Sequence, residues 1–305
     1  MTEADDTTDG RTDASNSRRS FLGRTAGVAV GAVAGLSAAG NAAAAGEACP
    51  TEEIETIDED EEEEVERSED EEEVETGSGH GHDRFTIMGG TPYETPVHVV
   101  DAPEAGPTAV VTGGVHGNEY AGMEAAREIA GWELQSGRLV VIPESNAVAA
   151  AQGTYVSPAG DLNQDFPTGR EPTSAHARAI WGVITDYDAD VVIDLHTSRG
   201  IYGAGGPSGV GQAIFPTPAG RPVASGVRNT VNAAHFEGTW APSYAYTVGN
   251  TMTGIRPRLI HKVGGDLGVP GFLIEATRHG TDLDQRVEWL GANVAAILER
   301  TGFEL

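Results

Sequence analysis

Residues 107–122 read PTAVVTGGVHGNEYAG. An apolar, β-branched run stops at two glycines. Polar residues follow, and a helix-forming stretch takes over. The run Thr108–Thr112 has the composition of a buried strand. From Glu119 to Leu134, Ala121, Met123, Ala126, Ile129, Ala130 and Leu134 recur near helical spacing, with Gly131 as the one weak point. A buried strand feeding a helix through a short glycine-containing loop is the unit from which α/β domains are built.

The same alternation continues in both directions. RFTIMG and PVHVVDA, separated by GGTPYET, precede the quoted stretch as two further strands. RLVVIPES and DVVIDLHTS follow as buried strands, and GVPGFLIEAT closes the set. SAHARAIWGVITDY with Ser174 as cap, GVRNTVNAAHF and DLDQRVEWLGANVAAILERTG read as helices. Asn146 to Pro172 has no clear period and is expected to be a long loop, as are the glycine- and proline-rich residues 200–220. The expected fold is α/β, in three layers. A central mixed, largely parallel sheet is covered by helices on both faces.

Sheets of this kind gather chemistry at the carboxyl ends of their strands. Three apolar runs end there in polar residues. TAVVTGGVHGNE ends in His116 and Glu119, DVVIDLHTS passes through His196, and GVPGFLIEAT contains Glu275. A catalytic zinc site takes three protein ligands from His, Asp or Glu and keeps one position for water. His116, Glu119 and His196 have the right chemistry for one zinc ion, with Glu275 left over as a carboxylate beside the water. Each piece is weak alone, because H-x-x-E arises often by chance. A lone His196 is more often a hydrogen-bonded structural residue, and Glu275 has Arg278 nearby in sequence as a pairing partner. Their joint placement at strand ends is what carries the reading.

Taken in order, GGVHGNE, DLNQDFP at 161–167, VVIDLHT and FLIEAT resemble the succinylglutamate desuccinylase/aspartoacylase family of the zinc carboxypeptidase superfamily. The resemblance implies a zinc-carboxypeptidase-like domain and a single zinc ion on His116, Glu119 and His196, with Glu275 as general base. It also implies hydrolysis of the amide of an N-acyl amino acid or similar small amide. Asn163 and Gln164 would contact substrate. Where the family usually has arginine after the asparagine, this chain has Gln164. The preceding GTYVSPAGD carries no arginine either. A neutral amide holds a carboxylate less firmly than a guanidinium, so Arg170, Arg199 and Arg278 are candidates to take over. Tyr244 and Tyr246 could lend a hydroxyl, although packing is the preferred reading for both. Only about 30 residues follow Glu275, and the β-rich C-terminal domain of several relatives is expected to be missing.

Two other readings use the same residues. One is a carboxypeptidase or other peptidase acting on peptides. The other is a non-catalytic zinc-binding surface module, against which the presence of Glu275 argues.

The first part of the chain has a different character. Arg18 and Arg19 precede Ser20-Phe21-Leu22, a weakly apolar Ala/Gly/Val run and small residues. Residues 1–45 thus resemble a twin-arginine export signal, which would engage the twin-arginine export machinery and deliver an exported, extracellular or cell-surface protein. The run is short and glycine-rich for a bilayer span, so no stable membrane span is expected after signal removal. Cys49 is the only cysteine, which excludes an internal disulfide. Residues 51–75 hold 17 acids against one arginine. Such a block repels itself and buries little, so 46–83 is expected to be an acidic disordered linker, with His80 and His82 in a polar joint. The catalytic domain is expected over 84–305.

The formal net charge is −28, and Lys262 is the only lysine. An acid excess of this kind keeps a surface hydrated at high salt and argues against nucleic acid as a partner, since phosphate binding needs basic patches. A small-molecule amide or a peptide is the expected substrate.

Overall fold

A computed structural model describes residues 81–204, 207–238 and 240–305. Chain contacts divide the protein into Met1–Glu72 and Glu73–Leu305. The paired arginines, Cys49, the acidic block and His80 lie outside the described residues.

The apolar runs become eight strands of one sheet. In chain order they are β1 (His82–Ile87), β2 (Thr95–Asp101), β3 (Glu104–Gly113), β4 (Ser136–Ile142), β5 (Val191–Ser198), β6 (Ala213–Pro216), β7 (Thr247–Val248) and β8 (Gly271–Thr277). Their spatial order is β1-β2-β4-β3-β5-β8-β6-β7. The centre, β4-β3-β5-β8, is parallel; β2 and β6 join it antiparallel, and β1 pairs antiparallel with β2 at the edge. β3, β5 and β8 are therefore immediate neighbours, which puts their carboxyl ends side by side.

Among the described residues six α-helices complete the fold: α1 (Tyr120–Ile129), α2 (Ala147–Gln152), α3 (Ala175–Asp186), α4 (Arg221–His235), α5 (Leu259–Lys262) and α6 (Leu283–Arg300). Side-chain alternation along the central strands feeds two cores. Val111, Ile193, Leu195 and Ile274 pack with residues of α1, α4 and α6. Val110, Val140, Val192 and Leu273 pack with Ile180 and Ile184 of α3 and Ile260 of α5. Each fully buried Val, Leu or Ile side chain contributes about 1.5–3 kcal/mol, so two such cores account for a sheet with both faces covered. The three-layer α/β architecture is the one expected from the strand–helix alternation.

Local signals set the ends of the helices. Ser174 Oγ accepts from Ala177 N at the start of α3. Asp282 and Gln285 form a reciprocal capping box at α6, worth about 1 kcal/mol. α1 stops at Ile129 instead of running to Leu134, because the chain turns at Ala130–Trp132, next to Gly131.

Three elements depart from the expected loops. The Asn146–Pro172 stretch contains α2, capped by Asn146 and ended by left-handed Gly153, and a 3-10 turn at Leu162–Gln164. Both are too short to show a period. β6 lies within the expected 200–220 loop, its four residues buried against β8. α5 passes directly into a π turn at Val263–Leu267. β1 begins at His82, two residues before the expected domain start.

Lys262 is a strut of this architecture. Its side chain is 2% exposed, and Nζ donates to Pro167 O, Arg170 O and Asp266 Oδ2 and sits 4.5 Å from the Trp181 ring. It ties α5 to the 161–170 segment. No described helix is long and apolar enough to cross a membrane.

Candidate metal and hydrolytic centre

The loop after β3 is held tightly enough to leave no room for side chains at its glycines. A Cβ on Gly117 would stand 2.0 Å from the Ala149 carbonyl carbon, and one on Gly122 would stand 2.5 Å from Leu195 O. Glycine at both positions lets α1 sit directly on β5 and presses the loop onto α2. Glu119 occupies the N-cap position of α1, yet its side chain makes no capping bond. Its carboxylate turns into the sheet end instead. Oε1 meets His116 Nδ1 at 2.8 Å, Oε2 meets His196 Nδ1 at 2.9 Å, and Oε2 also accepts from Thr197 N at 3.0 Å.

His196 stands on β5 with Asp194 two residues before it, on the same face of the strand. Asp194 Oδ2 lies 2.9 Å from His196 Nε2, and its Oδ1 accepts from Thr112 Oγ1 of β3 at 2.8 Å. Both ring nitrogens of His196 thus face carboxylates, Nε2 that of Asp194 and Nδ1 that of Glu119, and against the effect of burial the two together raise its pKa well above the ordinary range. Asp194 is completely buried.

Glu275 is aligned with His196 across the parallel β5–β8 pair. It is buried, and its Oε2 has no hydrogen-bond partner. Burial is the largest influence on its carboxyl and outweighs the pull of His196, pushing the pKa up to about 8. Glu119 goes the other way. Burial alone would raise it, but the two imidazoles draw it down to about 2. Two carboxyls of one cluster are thus driven apart, one held ionised and the other with its pKa raised toward neutrality.

Of the expected substrate contacts, Asn163 is buried in the 3-10 turn with Oδ1 unpartnered, and its backbone N–H donates to Asp161 Oδ1. Gln164 is exposed. Arg278 follows β8, with its backbone N–H on Ser198 O and its Nε buried without a partner. Among the described residues no ion pair joins Arg278 to Glu275. Arg170 and Arg199 are exposed. Tyr244 Oη donates to His279 O, and the Tyr246 ring is buried against Phe236. The Tyr246 hydroxyl is buried without a partner, and among the described residues neither hydroxyl makes a hydrogen bond to the cluster.

Four residues enter the neighbourhood that sequence reasoning did not select. Asp194 had a legible signal, the D-x-H spacing on a strand. Asp161 Oδ1 lies 3.5 Å from His116 Nε2, a long contact. Tyr155 stacks flat on His116, with ring centroids 3.8 Å apart and planes 20° from parallel. Arg258, just beyond Pro257, whose carbonyl accepts from Phe166 N, exerts its charge on the Tyr155 phenol. Neither Tyr155 nor Arg258 had a sequence signal.

The donor set fits a divalent cation. One ligand atom each from His116, Glu119 and His196 lies within 4.8 Å of the others, and all three side chains are buried. Two imidazoles and a carboxylate suit zinc.

The succinylglutamate desuccinylase/aspartoacylase catalytic domain family matches residues 105–201. That span contains His116, Glu119 and His196 and ends before Glu275. Over 110 residues the chain is 37% identical to the N-alpha-acetyl-L-2,4-diaminobutyric acid deacetylase of Halomonas elongata, covering 33% of this chain and 31% of that protein. The chain therefore spans about a third of the length of this curated relative. Among solved structures, tripeptide-bound Cell Shape Determinant Csd4 of Helicobacter pylori superposes with a TM-score of 0.57 at 17% identity, over 72% of this chain and 55% of that one. Product-bound Ectoine utilization protein EutE (DoeB) of Ruegeria pomeroyi gives 0.51 at 20% identity, over 69% and 62%. Both share the fold.

Proposed function

We propose that this chain is a zinc-dependent hydrolase that cleaves the amide bond of an N-acyl amino acid or similar small amide. The observation that carries the reading is the alignment of Glu275 with His196. It places a buried carboxyl with an unpartnered oxygen beside the three-donor cluster. The 37% identity to a deacetylase over 110 residues supports the small-amide substrate.

In this reading His116, Glu119 and His196 hold one zinc ion. When bound, the ion lowers the pKa of a water to about 7 and polarises a carbonyl oxygen. Asp194 keeps the Nε2 proton of His196 in place and so aims Nδ1 at the cluster. Glu275, ionised as it begins the reaction, takes a proton from water at Oε2. It then delivers that proton to the amide nitrogen as the carbon–nitrogen bond breaks. A carboxyl held near neutrality serves both halves of that exchange. Burial of the three ligand side chains strengthens each electrostatic contact among them.

A peptidase would use the same four residues. The absence of arginine beside Asn163 weakens the grip on a peptide's terminal carboxylate. Release into the surroundings through the twin-arginine route is part of the same proposal, supported by Arg18-Arg19 and the run that follows. Detection of a mature protein outside cells, lost on replacing both arginines by lysine, tests it, and unchanged export in that variant would refute it.

The decisive assay measures amine release by purified protein in high salt, from N-acyl amino acids and from peptides with free carboxyl ends, with and without a chelator. Chelator-sensitive release from the acyl amino acids is expected. Release from peptides alone would make the protein a peptidase. No release from zinc-loaded protein would leave a binding module.

A further inference from the structure

Hydrolysis of an amide places negative charge on the carbonyl oxygen, and a hydrogen-bond donor aimed at that oxygen is commonly the largest single contribution to rate. The cluster described above is poor in such donors. Its side chains are imidazoles committed to Glu119 and Asp194, and carboxylates. Between Arg138 and Arg170 the chain has no lysine or arginine. Tyr244 is engaged by His279 O, and Tyr246 is enclosed in the core.

Tyr155 is differently placed. It lies in the segment between α2 and the 3-10 turn, and its backbone carbonyl accepts from Gly117 N at 3.4 Å, which ties it to the His116 loop. One face of its ring covers His116, while the residue as a whole is 48% exposed. The ring is thus fixed over a proposed ligand and open to an incoming molecule. Its hydroxyl makes no hydrogen bond to any other described residue. The charges of Glu119, Asp161 and Glu275 act on its phenol, and that of Arg258 opposes them.

We propose that Tyr155 is a catalytic residue whose Oη–H donates a hydrogen bond to the carbonyl oxygen of the amide under attack. The inference rests on the hydrolase reading above. As the water oxygen bonds to the carbonyl carbon, the C=O π pair moves onto oxygen, and Tyr155 stabilises that charge without giving up its proton. When the carbon–nitrogen bond breaks, the pair returns and the proton on the amine comes from Glu275. An ordinary phenol titrates at about pH 10, so the hydroxyl remains a donor across neutral pH. The stack on His116 sets the ring orientation in advance, which is the condition for such a donor to act without reorganisation.

Tyr155→Phe keeps the stack and removes only the hydroxyl. In the zinc-loaded protein, kcat on an N-acetyl amino acid turned over by the parent is expected to fall about 10²–10³-fold, with KM little changed. Zinc content should match the parent. A second readout needs no turnover. Calorimetric affinity for the tetrahedral methylphosphonamidate of the same amino acid should weaken by a similar factor, while affinity for the free amino acid product stays the same. Parent-like kcat and parent-like phosphonamidate affinity in Tyr155→Phe would overturn the role of Tyr155 and leave the hydrolase reading intact. An inactive zinc-loaded parent would overturn both.

Discussion

His196 and Glu275 face each other across the neighbouring parallel strands β5 and β8, in direct register. Because side chains alternate along a strand, that register commits both to the same face of the sheet. Asp194, two residues earlier on β5, shares the face and holds the imidazole from behind. A one-residue slip would send His196 to the opposite face, so the register of the central sheet is also the geometry of the site.

Glu275→Gln tests the base. The substitution preserves shape and removes the ability to carry a proton, so zinc content should stay at the parent level. Amine release should fall about 10²–10⁴-fold. Metal analysis and a kinetic assay on the same preparation check it, and parent-like turnover would assign the base elsewhere.

Asp194 acts through His196. Asp194→Asn leaves the hydrogen bond but removes the negative charge that fixes the imidazole tautomer. Zinc affinity should drop about 10–100-fold, read by competition with a chromophoric chelator. An unchanged affinity would mean that Asp194 is only a packing residue tied to Thr112.

Arg258 exerts its charge on the Tyr155 phenol, and it is the candidate to hold a substrate carboxylate in place of the arginines missing near Asn163. Loss of a charge-assisted hydrogen bond costs about 1.5–3 kcal/mol. Arg258→Gln should therefore raise KM for an N-acetyl amino acid about 10–100-fold and leave its carboxamide derivative nearly unaffected. Equal loss on both substrates would point to misfolding, or to a role other than carboxylate binding.

His176, on α3, predicts a pH dependence of stability unconnected with the metal ligands. Burial is the main cause that lowers its pKa to about 4, and its Nε2 is enclosed without a partner. In the unfolded chain the pKa is about 6.5. Between those values the unfolded state binds the extra proton, so stability rises with pH across the window and is lost as pH falls from 6.5 toward 4. The loss from this residue is at most about 3 kcal/mol. His176→Gln should flatten the slope in denaturant titrations run from pH 7 to 4, and an unchanged slope would refute the assignment.

Local order in the sequence was enough for the framework. β-branched runs such as DVVIDLHTS and helical spacing in DLDQRVEWLGANVAAILERTG specify which residues face a core, because backbone geometry fixes the period of each element. The same periods put His116, Glu119, His196 and Glu275 at strand ends before any contact was known. Elements of a few residues escaped, since α2, α5 and β6 are too short to display a period.

Asp194 marks the boundary between the two kinds of information, because its spacing to His196 was visible while its bond to Thr112 on β3 was not. The sequence by itself determined the alternating elements, the apolar faces and the four residues at the ends of β3, β5 and β8. Only the tertiary structure decided that Tyr155 lies on His116, that Arg258 acts on Tyr155, and that Glu275 stands opposite His196. The reason is physical. Periodicity is set within a few residues of backbone, whereas the path of a loop and the partner of a strand depend on packing against chain that lies tens of residues away.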